Sequence, residues 1–499
     1  MPEENANLVY ETVEEYSSSF DKSKEETAII LAAGHGKRIK SQKSKMLHKI
    51  WGVPTVVRVF DACSKGLGDV NIITVVGIKA IDVTRNIGKK DNGIFAYQEE
   101  QNGTGHAVQV ALKKVPADYS GTVYVYLGDM GLINKKTVEM FKAEFKTSGS
   151  DMMVLTGLFE GNYNENYYGR IVRAKEFDVA GNPSDEKEQV IKIMEHKDIL
   201  SLPDNEQHIV EFKGKKYGYT KEELLKNNEF NSGVFAYKYN YLAELIDRIE
   251  SNNVQKEIYL TDLIYLFNER NLKVGAVSPK QQHVIMGFNN KSVLKEMETI
   301  ARGHIYEELK DVIEIEDEDD FFIDEEVVED ILRMDKEGIP LDISIGKGAH
   351  IGRGVKINYM NKFSRDSFLE GNIHLGKEVF IGEGAELTCF PGQTITLEYN
   401  VSILRGDLIK GNVHVGANSR IESSVNITGS DEFPVEIGSG VTIKGTSYIF
   451  GSKLEDNLLI NHSILIRKKI VNPGKNGEQH TISFYLPQAV GTGAINELE

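Results

Sequence analysis

The chain has 499 residues, more than one ordinary hydrophobic core holds, so its length predicts two or three domains. Its formal net charge of −17 argues against general nucleic-acid binding, which needs a basic protein surface. No apolar run reaches the roughly 20 residues that span a membrane, and the only two cysteines, Cys63 and Cys389, give no disulfide framework, so we expect a cytoplasmic protein without membrane or nucleic-acid partners.

The first two segments of the chain differ in polarity and in periodicity. Residues 1–26 are acidic and polar, lack the apolar centre of a signal peptide, and are expected to form a disordered or loosely attached tail. Over 27–303, apolar runs such as TAIILAAG and TVYVYLGDM indicate strands, and stretches such as TVVRVFDACSKG indicate helices between them. This alternation predicts an α/β domain with a mostly parallel sheet that is covered on both faces.

A cluster of positive charge follows the first predicted strand of this otherwise acidic chain. It lies in LAAGHGKRIKSQKSKMLHKIWGVP, residues 31–54. In such sheets ligands bind outside the carboxyl ends of the strands, and a glycine turn lets backbone N–H groups approach a phosphate. The cluster therefore predicts an anionic ligand, although GHGKR by its spacing alone is equally compatible with a surface turn and solvated lysines.

The second half of the chain has a different texture. Residues 304–339 are densely acidic, which predicts a solvated connector with some helix. From 340 to 471, β-branched residues followed by glycine recur on a period near six, as in DISIGKGAHIGRGVKI. Six residues per side of a triangular coil stack aliphatic side chains inside, so this segment predicts a left-handed parallel β-helix of hexapeptide repeats. Residues 472–499 are expected to be a polar tail with one candidate strand over 481–486.

Eight motifs in the first half, taken in order, resemble those of the sugar-1-phosphate nucleotidyltransferases. The first is the stretch 31–54, which is similar to the family signature L-A-A-G-x-G-x-R-M-x(n)-K-x-L. Its Leu47-His48 pair resembles the uridylyltransferase half of the bacterial bifunctional N-acetylglucosamine-1-phosphate uridylyltransferase/glucosamine-1-phosphate acetyltransferases. The other motifs are QEEQNGTGHAVQ (98–109), LGDMGLI (127–133), YGRIVR (168–173), IMEHKD (193–198), FNSG (230–233), EIYLTD (257–262) and GFNN (287–290).

The resemblance covers about residues 27–300 and implies a Rossmann-like nucleotidyltransferase domain. The implied reaction joins UTP and a sugar 1-phosphate, with N-acetylglucosamine 1-phosphate as the expected sugar, into a UDP-sugar and pyrophosphate. An ionised phosphate oxygen is the nucleophile, so alignment of two anions and stabilisation of charge replace a general base.

Roles follow for the residues that match the family motifs. Arg38 would hold the departing phosphates, and Lys45 would bridge the α-phosphate and the sugar phosphate. Gln98 would read the uracil. The positions that match the nucleotide site are Leu31, Ala32, Ala33, Gly34, Gly36, Gln98, Gly103 and Thr104.

Asp129 and Asn289 match the positions that hold one Mg²⁺ in the family, and carboxylate and amide oxygens suit that ion. The alternative for Asp129 is an N-cap of the helix that follows. The positions that match the sugar site are Gly169, Glu195, Asn231, Tyr259 and Thr261.

Two segments depart from the family pattern. Residues 199–229 form an insertion between IMEHKD and FNSG, close to the sugar motifs, and leave the identity of the sugar open. The β-helix lacks the acetyltransferase strings AGHLxYxGD and GAGxxxxNYDG. We therefore expect it to assemble the chain, as a homotrimer, rather than to carry a second activity.

Two other interpretations remain at this point. The chain could be a non-catalytic sensing or assembly subunit, against which the retention of Arg38, Lys45, Asp129 and Asn289 argues. The β-helix could also retain a divergent acyltransferase site, against which the missing strings argue.

Overall fold

The computed structural model describes residues 6–34, 36–204, 206–251, 253, 256–474 and 479–484. The chain divides into an N-terminal unit, Met1–Glu298, and a C-terminal unit, Thr299–Glu499. Among the residues just named, no helix combines the length and the apolar composition that a membrane crossing requires.

The N-terminal unit is an α/β fold. Its helices are α1 (Ala6–Tyr16), α2 (Thr55–Leu67), α3 (Ala80–Ile87), α4 (Thr104–Leu112), α5 (Lys135–Ser148), α6 (His196–Leu200), α7 (Lys221–Lys226), α8 (Tyr239–Leu245), α9 (Leu263–Glu269) and α10 (Lys291–Leu309), in which the boundary between the units falls. Single 3₁₀ turns occur at Lys37–Ile39, Lys45–Leu47, Tyr163–Glu165, Ile246–Arg248, Leu260–Asp262 and Gln282–Ile285. Its strands are β1 (Glu26–Ala32), β2 (Lys49–Ile50), β3 (Val53–Pro54), β4 (Val70–Val76), β5 (Gly93–Tyr97), β6 (Thr122–Leu127), β7 (Met152–Leu158), β8 (Arg170–Arg173), β9 (Val190–Met194), β10 (Gln207–Phe212), β11 (Lys215–Thr220), β12 (Glu229–Lys238) and β13 (Val274–Val277).

The central sheet has the strand order β13-β7-β12-β6-β1-β4-β5, with β8 and β9 joined at its side. The strands β6, β1, β4 and β5 are parallel neighbours, and β12 is antiparallel to both β6 and β7. The predicted mostly parallel sheet is confirmed, with β12 as an antiparallel strand within it. Because β12 runs the other way, its first residues lie at the edge where β1 and β6 end.

The central strand β1 shows why the sheet is covered on both faces. All seven of its residues are buried. Ala28 and Ile30 belong to one hydrophobic cluster, whereas Ile29 and Leu31 belong to another. Since successive side chains of a strand point to opposite faces, each face has its own core. A strand buried on both faces reads as the continuous apolar run seen in the sequence.

The expected loose N-terminal tail is wrong for most of its length. Helix α1 buries Val9 and Val13 in the N-terminal unit and packs against α3 and β5. The Ser17 hydroxyl accepts a hydrogen bond of 2.9 Å from the backbone N–H of Phe95. The acidic composition concealed this helix because its apolar residues occupy only one narrow face.

The insertion 199–229 forms a small subdomain. It contains the antiparallel hairpin β10–β11 and the helix α7, which begins with a capping box at Thr220 and Glu223. Its apolar side chains, among them Val210, Phe212 and Tyr217, join residues of β8 and β9 in a separate hydrophobic cluster. The insertion is therefore anchored to the edge of the sheet.

The C-terminal unit is a coil of three parallel sheets. It contains helix α11 (Glu325–Asp335) and the strands β14 (Glu314–Ile315), β15 (Phe322–Ile323), β16 (Ser344–Ile345), β17 (His350–Ile351), β18 (Val355–Lys356), β19 (Lys362–Phe363), β20 (Phe368–Glu370), β21 (Ile373–Leu375), β22 (Phe380–Ile381), β23 (Glu386–Thr388), β24 (Ile395–Leu397), β25 (Ser402–Ile403), β26 (Leu408–Gly411), β27 (Val413–Val415), β28 (Arg420–Ile421), β29 (Asn426–Gly429), β30 (Val435–Ile437), β31 (Thr442–Ile443), β32 (Tyr448–Phe450), β33 (Lys453–Leu454), β34 (Leu458–Ile460), β35 (Ile464–Ile466), β36 (Lys469–Ile470) and β37 (His480–Ile482). From β16 onward every third strand belongs to the same sheet, so a complete coil contributes one strand to each of three faces.

The register explains the six-residue period. Ile345 pairs with Phe363 and Phe363 with Ile381, at intervals of 18 residues, or three sides of six. Aliphatic side chains then stack inside the coil. One fully buried stack consists of Ile351, Leu369, Leu387, Ile409, Ile427, Ile449 and Leu465. The fold class, a Rossmann-like domain followed by a parallel β-helix, is confirmed.

The β-helix is longer than the sequence indicates. Strands β14 and β15 pair with β16 and β17, so the expected connector 304–339 supplies the first coil as well as helix α11. At the other end, β37 pairs with β34 and uses part of the expected tail. Residues 485 and 486 of the candidate strand lie outside the described residues.

One corner of the β-helix carries a longer loop in two of its coils. Residues 389–394 link β23 to β24, and residues 430–434 link β29 to β30, whereas Asn412 alone links β26 to β27 at the same corner. Asp431 accepts hydrogen bonds from the side chains of Gln393 and Asn412, at 2.9 and 3.0 Å. The two loops therefore stay connected although the coil between them lacks one.

Candidate active site

A cavity of about 270 Å³ lies in the N-terminal unit, at the edge of the sheet where β1 and β6 end and β12 begins. This is the edge at which open α/β sheets bind ligands. The sequence-predicted residues that line it are Leu31, Thr104, Asp129, Gly169, Glu195, Asn231, Thr261 and Asn289. The structure thus brings together members of the predicted nucleotide, sugar and metal groups.

One edge of the cavity carries a cluster of Lys45, Asp129 and Asn289. The Lys45 ammonium forms an ion pair with Asp129 Oδ2 and donates a hydrogen bond of 3.1 Å to Asn289 Oδ1. The side chains of Lys45 and Asp129 are each only 11% exposed. Asp129 is not the N-cap of the helix that follows it, because Asn134 caps that helix, α5. Asn290, the residue after Asn289, caps α10.

The glycine loop is shaped by the approach of Lys45. Gly36 has a φ of +57°, and a Cβ there would stand 2.7 Å from the Cβ of Lys45. A side chain at position 36 would be strained and would displace the lysine. The loop and Lys45 therefore form one local structure.

The other predicted residues of this segment surround that loop. Ala32 and Ala33 are buried at the end of β1, whereas Gly34 and Arg38 are exposed. Arg38 lies in the 3₁₀ turn Lys37–Ile39 and does not line the cavity. Its predicted phosphate role stays a prediction.

The predicted base-reading residues lie at the start of α4. Gln98 is buried, and its Nε2 donates a 3.2 Å hydrogen bond to the carbonyl of Gly103 and lies 3.2 Å from His106 Nδ1. Gly103 has a φ of +105°, and a Cβ there would lie 2.5 Å from the carbonyl oxygen of Ile258, so only glycine fits. Thr104 Oγ1 accepts a hydrogen bond of 3.1 Å from the Leu260 N–H. These contacts hold the loop 98–104 in one conformation.

The opposite wall of the cavity carries the carboxyl group of Glu195, which is buried in surroundings of low dielectric constant. Burial, together with the negative charges of Asp198 and Asp262, raises the pKa of Glu195 to about 7. Asn231 lies near the start of the adjacent strand β12 and donates its backbone N–H to Gly169 O at 2.8 Å. This wall can therefore offer a carboxyl group and an amide to the hydroxyl groups of a ligand.

Tyr259 does not line this cavity. It lines a neighbouring one of about 510 Å³, which shares Glu195 and Thr261 with the first. The second cavity also contains Lys192 and Asp262. Burial raises the pKa of Asp262 to about 6 and lowers the pKa of Lys192.

The insertion contributes to the second cavity only. His208, from β10, lies in its wall, with Nε2 3.5 Å from Lys192 Nζ. No described residue of 199–229 lines the first cavity. The insertion thus stands behind Glu195 rather than over the cavity mouth.

The sequence missed Arg170, which supports the cavity wall that carries Glu195 and Asn231. Its guanidinium is fully buried and donates to Asn166 Oδ1 at 3.0 Å, to Asn166 O at 2.7 Å and to Tyr168 O. Tyr168 lines the cavity and stacks on Phe230, with 4.4 Å between ring centroids. The motif YGRIVR pointed to this segment, but a charged residue inside it reads as exposed unless its partners are known.

A divalent cation fits the donor set of Asp129 and Asn289. Asp129 Oδ1 is buried and has no hydrogen-bond partner among the described residues, and Asn289 supplies an amide oxygen. Such hard oxygen donors suit Mg²⁺, which takes few protein ligands and completes its shell with water and phosphate. Within the described part of the chain, no group of three or more His, Cys, Asp or Glu side chains could hold a metal.

Comparison with known proteins found similarity to a family model, to solved structures and to curated proteins. The family of the MobA-like NTP transferase domain matches residues 28–177, a range that includes β1, the glycine loop, Asp129 and Gly169. A solved structure of UDP-glucose pyrophosphorylase complexed with UDP-glucose aligns with 55% of this chain and 98% of that chain, at 14% identity and a TM-score of 0.37.

Among curated proteins, the bifunctional protein GlmU of Acetivibrio thermocellus is 35% identical over 301 residues, which are 60% of this chain and 57% of that protein. The bifunctional protein GlmU of Clostridium novyi is 30% identical over 429 residues, 85% of this chain and 80% of that protein. The similarity to the first of these spans somewhat more than half of the relative's length, whereas that to the second extends well into the β-helix.

Proposed function

Because the chain belongs to the family of the bifunctional GlmU proteins, we propose that its N-terminal nucleotidyltransferase domain is a uridylyltransferase. It transfers a uridylyl group from UTP to a sugar 1-phosphate and releases pyrophosphate. The observation that carries this proposal is the convergence of Lys45, Asp129 and Asn289 at one edge of a cavity whose other wall carries Glu195 and Asn231. An edge with a lysine and two oxygen donors for a metal suits two phosphates, and a polar wall suits a sugar.

The residues of the chain supply alignment and charge rather than proton transfer. The main chain of the glycine loop contacts the nucleotide, Gln98 reads the uracil, and Arg38 holds the leaving phosphates. Lys45 stands between the α-phosphate and the incoming sugar phosphate, so it offsets charge that grows as the two anions converge. The loop 98–104 is fixed by its own hydrogen bonds, which lowers the cost of ordering it on binding.

Asp129 and Asn289 would hold one Mg²⁺, which when bound supplies a Lewis acid for the phosphate oxygens. The chain itself keeps the side-chain oxygens of Asp129 and Asn289 together at the cavity edge. It also keeps one carboxylate oxygen, Asp129 Oδ1, free of competing hydrogen bonds from the described residues.

The proposed sugar is N-acetylglucosamine 1-phosphate. Gly169, Glu195 and Asn231 form the wall that would receive its hydroxyl and acetamido groups. A polar site built for an acetamide leaves its own groups unpaired with a sugar that carries only a hydroxyl there. We expect a preference over glucose 1-phosphate of at least about tenfold in kcat/KM, which needs only ~1.4 kcal/mol.

Pyrophosphate release from UTP over a panel of sugar 1-phosphates tests the proposal. Release with N-acetylglucosamine 1-phosphate, at least tenfold above glucose 1-phosphate, is the expected result. Equal rates with both sugars would contradict the sugar assignment alone. No release with any sugar 1-phosphate and any nucleoside triphosphate would contradict the proposed reaction and favour a non-catalytic sensing protein.

The β-helix is proposed to assemble the chain into a cytoplasmic homotrimer without a second activity. Its outward positions on the face of β15, β17 and β20 include the aromatic stack Phe322, His350 and Phe368, with ring centroids 4.5 and 4.4 Å apart. Apolar outward residues on one face are the usual basis of an interface. Light scattering on the full chain measures the oligomeric state.

A further inference from the structure

The Lys45 ammonium occupies the place that a metal would need. It contacts both proposed metal ligands at once, Asp129 Oδ2 and Asn289 Oδ1. It also lies 5.3 Å from the ring centroid of Phe288, a cation–π distance. Three different groups therefore converge on a single positive charge.

A cation at this point has a physical reason. The Asp129 side chain is largely buried, and a buried carboxylate without a counter-ion is costly. Lys45 provides that counter-ion when no metal is bound. A divalent ion held by Asp129 and Asn289 would share the Asn289 oxygen with the ammonium group and would lie beside it on the same carboxylate. Because like charges repel strongly at that separation in a site of low dielectric, the two cations compete for the site.

We propose that Lys45 is an exchangeable internal counter-ion of the metal site, so that binding of a divalent cation to Asp129 and Asn289 displaces its ammonium group. The inference rests on the proposed function, which assigns these two residues to the metal. Displacement puts the freed ammonium at the cavity edge, where the phosphates of the substrates arrive. Metal binding and the catalytic placement of Lys45 are then one event.

The proposal makes metal affinity the diagnostic quantity. In the absence of substrates, the metal must compete with an ammonium group that the chain itself supplies, so the wild type binds it weakly. Removal of the ammonium group abolishes that competition and tightens metal binding. A residue that merely stabilised the site would have the opposite effect, since its loss would loosen the ligands.

The test measures Mn²⁺ binding to the full chain without nucleotide, by the electron paramagnetic resonance of free Mn²⁺. The variants are Lys45→Ala and Lys45→Gln. The matched control is Lys43→Ala, which removes the same charge from an exposed position of the same loop. Circular dichroism verifies that each variant is folded, and Lys45→Gln serves if Lys45→Ala is not.

We expect both Lys45 variants to bind Mn²⁺ at least about tenfold more tightly than Lys43→Ala, and Asp129→Asn introduced into Lys45→Gln to abolish the gain. Equal or weaker binding than in Lys43→Ala would overturn the exchange. Pyrophosphate release by the wild type is measured separately. Tighter Mn²⁺ binding in the Lys45 variants with no release by the wild type would leave the exchange standing and remove the proposed reaction.

Discussion

Each unit contains a buried carboxyl group with a raised pKa, but the two groups have different surroundings. In the N-terminal unit, Glu195 has a pKa raised to about 7 and lines a cavity. In the C-terminal unit, burial raises the pKa of Asp407 to about 7 as well, yet its carboxyl oxygens accept hydrogen bonds from the backbone N–H groups of Leu404 and Val425, at 3.1 and 2.9 Å. A perturbed pKa therefore does not by itself mark a site; open space beside the group does.

The hydroxyl groups of Ser419 and Thr261 show the same difference between the two units. Ser419 in the β-helix donates to Gly438 O at 2.9 Å and accepts from the Val441 N–H at 3.1 Å, so it closes a corner of the coil. By comparison, Thr261 lies between the two cavities of the N-terminal unit. Polar side chains hold the backbone of one unit and face the cavities of the other.

The largest effect of a substitution on activity is expected at Asp129, which lines the cavity of the N-terminal unit. Asp129→Ala removes one of the two proposed metal ligands, and a loss of several kcal/mol in transition-state stabilisation corresponds to about a thousandfold lower kcat. Pyrophosphate release at limiting Mg²⁺ measures the rate, and circular dichroism measures folding. Near-normal turnover of the folded variant would show that Asp129 holds no catalytic metal.

A smaller effect is expected at Glu195. Glu195→Gln keeps the shape but changes the hydrogen bonds offered to the sugar, so kcat/KM for the sugar 1-phosphate should fall by about 10- to 100-fold. The KM for UTP should stay close to that of the wild type. Kinetics with each substrate varied in turn separate the two effects, and an equal loss for both substrates would place Glu195 outside the sugar wall.

Asp407→Asn should affect stability instead. Its new amide NH₂ must face one of two backbone donors, so the C-terminal unit should lose about 1–3 kcal/mol. Thermal unfolding followed by circular dichroism detects this loss, while pyrophosphate release at 25 °C should not change. Lower activity at unchanged stability would mean that the comparison between the two carboxyl groups is wrong.

The raised pKa values of Glu195 and Asp407 also predict a pH dependence of stability. In the unfolded chain Glu195 and Asp407 lose their protons near pH 4.5 and 3.8, whereas in the folded chain each keeps its proton up to about pH 7. Their contribution to stability is therefore complete at low pH and is lost as pH rises to about 7. Melting temperatures over pH 4–8 should show this decline, and Asp407→Asn should flatten it.

No acetyl-transfer activity is expected. With acetyl-CoA and glucosamine 1-phosphate, the full chain should form no product above an enzyme-free control, because the β-helix lacks the acetyltransferase strings. A thiol-release assay measures the reaction. Turnover that disappears on mutation of a β-helix histidine such as His350 or His414 would reveal a divergent second site.

Periodicity predicted the fold well, and it failed where composition masked it. The six-residue repeat identified most of the β-helix, because each coil needs an aliphatic residue at each inward position. The first coil escaped notice because β14 and β15 are two-residue strands inside an acidic run. Helix α1 was hidden in the same way.

Motifs predicted the centre of the candidate site but not its support. Asp129, Glu195 and Asn231 could be named because their neighbours in sequence resemble a family. Arg170 could not be named, because its hydrogen bonds to Asn166 and Tyr168 depend on the local path of the chain and on burial. Lys192 could not be named, because its lowered pKa depends on burial alone. The pairing of Lys45 with Asn289 joins residues that are 244 positions apart, which no local pattern can predict.

The longer loops at one corner of the β-helix indicate where the chain can accept inserted residues. Lengthening a surface loop costs only the entropy of closing it, about 0.6 kcal/mol for each doubling of its length. The strands on either side of 389–394 and 430–434 nevertheless keep their pairing with the neighbouring coils. This corner is therefore a place where foreign segments, such as an affinity tag or a fluorescent label, can be inserted while the stacked strands keep their alignment.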